Sequence, residues 1–182
     1  MEDYKNIFLL NSDIIYLNHG SFGGCPKEIM DKYFDLQLKL ENQPIDYLVN
    51  NVEESSRKTR KALSNYIDCD KNDVVFFPNP STATNMVAKS LNLSKNDEVL
   101  TTNHEYGALV KTWRYVCQES EAKYIEYTPS IPLESKEDFI KGFVDCIRDK
   151  TKIIFISHIT SSTGLIFPVK EICIEAKKRN II

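Results

Sequence analysis

Apolar positions along this chain change their period near residue 71. Over 26–43 they recur at helical spacing, with Ile29, Met30, Tyr33, Phe34, Leu36, Leu38 and Leu40 supplying the apolar side, which predicts an amphipathic helix. Pro26 suits the first turn of that helix, where a missing N–H costs nothing. A second helix is expected over 52–66, studded with Glu53, Glu54, Arg57, Lys58, Arg60 and Lys61, a solvated face with opposite charges four residues apart. From Asp73 onward, short apolar runs at 74–77, 98–101, 123–127 and 152–156 alternate with helix-length segments at 81–93, 106–118, 135–147 and 169–179. Strand and helix in alternation predict crossover units, hence an α/β fold with a largely parallel sheet and helices on both faces. Asn180-Ile181-Ile182 reads as the opening of another buried strand. The expectation is therefore one incomplete domain over 1–182: a helical segment over 1–70, then the first part of an α/β domain over 71–182, in a chain that reads as a fragment.

Composition narrows the class. At 182 residues, 42% hydrophobic and 27% charged, the chain suits a packed core rather than disorder. A net charge of -3, with basic residues scattered among acidic ones, gives no electrostatic footprint for nucleic acid or an anionic membrane, so small molecules or other subunits are the expected partners. The N-terminus opens acidic and its apolar run covers only 7–10, so neither a signal peptide nor a spanning helix is read there, and a cytoplasmic location is expected. Five widely spaced cysteines, Cys25, Cys69, Cys117, Cys146 and Cys173, form no CxxC pair and have no zinc-like histidine spacing; reduced thiols and no metal site are expected.

Three predicted strand ends carry polar residues that would face one cleft, because ligands of open α/β sheets bind beyond the carboxyl ends of the strands. The first is Pro78-Asn79-Pro80-Ser81-Thr82-Ala83-Thr84-Asn85. Here Ser81 and Thr82 admit two readings, ordinary helix capping or phosphate binding through hydroxyls and the free amides of a helix N-terminus. The second is Thr102-Asn103-His104-Glu105-Tyr106-Gly107, where His104 or Tyr106 offers a ring to stack on a flat cofactor or is simply packed. The third is His158-Ile159-Thr160-Ser161-Ser162-Thr163-Gly164, whose hydroxyls also suit local loop bonding. Nearer the N-terminus, Asn18-His19-Gly20-Ser21-Phe22-Gly23-Gly24 matches neither glycine-rich nucleotide fingerprint, and His19 has no recognisable nucleophile elbow beside it.

In order and spacing, the segments at 16–23, 79–85, 104–108 and 158–168 resemble class V aminotransferases, in particular the isopenicillin N epimerase-like branch, related to cysteine desulfurases. The similarity runs from about residue 14 to the C-terminus. It implies a fold-type I pyridoxal 5′-phosphate enzyme acting on an amino acid, usually a homodimer. Ser81 and Thr82 match the pair that holds the cofactor phosphate, Tyr106 the aromatic ring over the pyridine, and Thr160 a polar position beside the pyridine hydroxyl. In similar proteins an Asp-Gly-Ala-His stretch and the cofactor-bearing lysine come after the position of Ile182, so no catalytic residue is assigned in this chain. Whether the reaction is an epimerisation, a transamination or a desulfuration is left open. The alternative is a truncated, non-catalytic remnant that associates with another subunit.

Overall fold

A computed structural model describes residues 4–182 and divides the chain into two compact units, Met1–Phe76 and Phe77–Ile182. In the first unit, a 3-10 turn at Tyr4–Ile7 precedes helix α1 (Lys27–Asn42), a π-helical turn (Asp46–Asn51) and helix α2 (Val52–Ile67). Pro26 lies one position before α1 rather than inside it. α1 buries none of its residues, and Ile29, Tyr33, Phe34 and Leu38 are all at least half exposed. α2 ends where Asp68 enters the left-handed region at φ 56°. His19 is packed locally, its ring edge-on to Tyr16 at 4.9 Å and its Nδ1 accepting from the Gly24 N–H at 3.3 Å.

The apolar run at 74–77 is not a strand. Val74 is buried, but Val75, Phe76 and Phe77 are exposed, and no strand among the described residues pairs with them. β-prone residues complete a strand only when a ladder takes up their backbone groups.

The second unit holds helix α3 (Pro80–Ser90), strand β1 (Glu98–Thr102), helix α4 (Gly107–Glu119), strand β2 (Lys123–Tyr127), helix α5 (Lys136–Asp145), strand β3 (Thr151–Ile154) and helix α6 (Val169–Lys178). The three strands form a parallel sheet in the order β2-β1-β3, with a bulge where Glu98 faces Thr151 but Val99 faces Ile153. Residues 181–182 run along the free edge of β3, Ile182 donating to the Lys152 carbonyl at 3.2 Å and accepting from the Ile154 N–H at 2.8 Å.

β1 is buried along its whole length because both of its faces are covered. Val99 packs with Ile153, Ala88 of α3, and Trp113, Val116 and Cys117 of α4. Leu100 faces the other way, into Phe139 and Phe143 of α5, Ile172 of α6 and Phe167. The chain leaves β1 in one direction to reach β2 and crosses back over β1 to reach β3. Right-handed crossovers then require α4 and α5 on opposite faces, which is where the two clusters put them. Phe139 anchors the second cluster, stacked on Phe167 with centroids 4.5 Å apart. No helix among the described residues is long and apolar enough to cross a membrane.

Candidate cofactor site

Reversal of direction at β1 makes the gap between the carboxyl ends of β1 and β3 the topological switch point of the sheet, the place where open α/β sheets bind ligands. The loop after β1 carries His104, Glu105 and Tyr106; the loop after β3 carries Ser157, His158 and Thr160.

α3 begins with a cap that neither Ser81 nor Thr82 supplies. The cap is Asn79, in extended conformation, whose side-chain oxygen accepts from the Thr82 N–H at 2.8 Å, while Pro80 occupies the first turn. The Asn79 carbonyl takes the Ala83 N–H at 3.3 Å, and Asn85 donates back to the Ser81 carbonyl at 2.8 Å. Capping is therefore complete without either hydroxyl, and the Ser81 and Thr82 side chains, both half-buried, have no hydrogen-bond partner among the described residues. Asn-Pro ahead of the helix was the sequence signal for this cap. What remains at the helix start is free to donate: two hydroxyls, the Ser81 N–H and the positive end of the helix dipole.

Tyr106 is the residue before α4, 53% exposed, and its carbonyl accepts the Leu109 and Val110 N–H groups that start the helix. No group among the described residues hydrogen-bonds its phenol. His104 is more committed, its Nδ1 2.6 Å from the Asn103 side-chain oxygen and its ring edge-on to Phe167 at 6.2 Å.

Thr160 lies in a hairpin formed by 158–167, pinned by the Ile159–Ile166 bridge, by Phe167 donating to the His158 carbonyl at 2.9 Å, and by Gly164 at φ 67°. It is 2% exposed, and its hydroxyl is engaged inside the turn, accepting from the Leu165 N–H at 2.9 Å and lying 2.7 Å from the Thr163 hydroxyl. Thr160 thus shapes the hairpin at the strand end. No hydrogen bond among the described residues joins Ser81 or Thr82 to Tyr106 or Thr160. A separate cleft of ≈ 570 Å³, lined by Leu133, Phe139, His158, Phe167 and Lys170 among others, contains none of the four.

The family described as aminotransferase class-V matches residues 15–182. The chain belongs to that family. Among its class-V relatives, isopenicillin N epimerase of Streptomyces clavuligerus is 29% identical over 181 residues, 99% of this chain and 45% of the relative. Two solved structures share the fold. A lysine-to-alanine variant of C-DES, with glycine covalently linked to the PLP cofactor, superposes with a TM-score of 0.82 at 20% identity, over 92% of this chain and 44% of that one. The apo cysteine desulfurase of Thermococcus onnurineus NA1 gives 0.80 at 19% identity, over 100% and 46%. This class-V chain spans under half the length of these relatives.

Proposed function

We propose that this chain supplies the phosphate-binding part of a pyridoxal-phosphate enzyme acting on an amino acid. The observation that carries the reading is the start of α3, where Asn79 caps the helix and leaves the Ser81 and Thr82 hydroxyls without partners. A multiply charged phosphate, whose oxygens accept hydrogen bonds, fits two hydroxyls and an N–H that are free to donate. Tyr106, exposed and unbonded through its phenol, offers a ring face for the pyridine, and Thr160 fixes the hairpin that would border the pyridine hydroxyl.

When bound, the cofactor supplies an electron sink for bonds at the substrate α-carbon. Toward it, the chain's own residues have three tasks. Ser81 and Thr82 bind and orient the phosphate, Tyr106 limits tilt of the ring, and the 158–167 hairpin closes one side against water. We assign no lysine of this chain to the covalent step. The substrate is an amino acid and the assembly a homodimer, as the family resemblance implies.

The test replaces both hydroxyl residues while leaving Asn79 in place. In a Ser81→Ala, Thr82→Val protein, affinity for pyridoxal 5′-phosphate is expected to fall at least about tenfold per lost charge-assisted bond, with thermal stability nearly unchanged. Equal affinity in the wild type and the double variant, measured by calorimetry, overturns the assignment.

A further inference from the structure

Glu105 has no role in the phosphate cradle, yet the two loops of the switch point meet on it. Its side chain is nearly buried, at 9% exposure, and no basic side chain among the described residues pairs with it. Three donors hold it instead. The Thr102 hydroxyl donates to Oε1 at 2.8 Å, the Ser157 backbone N–H donates to the same oxygen at 3.1 Å, and the Ser157 hydroxyl donates to Oε2. Thr102 is the last residue of β1, and Ser157 lies just past β3, where the last backbone bond between the two strands is Phe155 donating to Leu100 at 3.0 Å. A single carboxylate therefore continues the join between β1 and β3 after their ladder has ended. The Thr102 hydroxyl also accepts from the His104 N–H at 3.2 Å, so the same cluster sets the turn leading into Tyr106.

A carboxylate suits this place because it is the one side-chain group that offers two oxygens and no donor to three donors. An apolar side chain of similar size would fill the space without tying the loops, and would leave the Ser157 N–H with no acceptor.

We propose that Glu105 is a positioning residue, a clasp that locks the loop bearing Tyr106 to the loop bearing Ser157 and Thr160, so that both sides of the pyridine site are formed before the cofactor arrives. The proposal rests on the cofactor reading above. Its physical effect is on affinity: a site already ordered loses less conformational freedom on binding. The phosphate cradle at α3 lies outside the clasp, so phosphate binding by itself is unaffected.

The test compares Glu105→Leu with Glu105→Gln in the full chain. Gln keeps a carbonyl oxygen for Thr102 and the Ser157 N–H, and its amide donates to the Ser157 hydroxyl once that hydroxyl rotates, so it is expected to behave as wild type. In Glu105→Leu without ligand, amide hydrogen exchange at His104 and Ser157 is expected to accelerate roughly tenfold, with the strand amides unchanged. Affinity for pyridoxamine 5′-phosphate is expected to weaken roughly tenfold as well, while affinity for inorganic phosphate stays at the wild-type value. Unchanged exchange in Glu105→Leu overturns the clasp. Accelerated exchange with unchanged pyridoxamine phosphate affinity overturns the positioning role. A wild-type chain that binds neither ligand overturns the cofactor reading and this proposal with it. If Glu105→Leu exchanges globally, Ser157→Ala carries the comparison, since it removes one hydroxyl bond and is expected to shift both readouts in the same direction by roughly threefold.

Discussion

At the residue scale, Asn79 has the clearest assignment in the second unit. Its side chain satisfies the Thr82 N–H, a donor that the first turn of a helix cannot pair internally. Asn79→Ala is expected to destabilise the unit by about 1 kcal/mol, read from the urea midpoint at an unchanged slope. The same substitution leaves the Ser81 and Thr82 hydroxyls in place, so the loss in stability should exceed the loss in phosphate affinity. A double variant of Ser81 and Thr82 should show the opposite balance, because those hydroxyls contribute to no internal bond.

At the element scale, α5 is seated by an absence. Gly142 lies against Tyr127 of β2, and a Cβ added there would overlap the Tyr127 hydroxyl oxygen and come within 2.9 Å of the ring carbon bearing it. Tyr127 has little room to withdraw, being edge-on to both Phe139 at 5.6 Å and Phe143 at 5.8 Å. Gly142→Ala would gain up to about 1 kcal/mol in helix propensity. Overpacking at a rigid ring costs about 1–3 kcal/mol, so the net expectation is a less stable protein with a lower thermal midpoint. Pairing Gly142→Ala with Tyr127→Leu should recover part of the loss, and the thermal midpoints of the single and double variants check this.

At the scale of the whole molecule, the core on one face of the sheet includes two groups that resist ionisation. Burial pushes the Cys117 thiol from 9.0 up to about 11, and burial first, with the Glu126 charge second, pushes the Tyr124 phenol from 10.0 up to about 12. Both values are raised on folding, so the folded state holds these protons more tightly than the unfolded state. The stabilisation they provide is complete below pH 9 and is lost as pH rises through about 9 to 12. Urea midpoints should hold level from pH 7 to about 8.5 and then decline, and Cys117→Ala should delay the onset of that decline. Native-state alkylation at pH 8 should modify the exposed Cys69 and Cys173 while sparing Cys117.

Much of this protein could be read from local pattern. Periodicity located α1 and α2, the three paired strands and the helices between them, because side-chain spacing within one element is a property of that element alone. The polar residues after β1 and β3 were legible as strand-end loops, whereas the segment at 78–85 follows no strand. Three things required the tertiary structure. The run at 74–77 has strand composition but no ladder, and whether a partner strand lies alongside is not encoded in the run itself. The helical apolar stripe of α1 predicted a packed face, but all of its residues retain exposure, because a stripe shows what can be buried and not what buries it. The Glu105 clasp joins residues 52 positions apart, and it exists because the chain crosses back over β1 and brings β3 beside it. Local sequence set the elements and the chemistry at their ends, whereas strand order alone decided which of those ends meet.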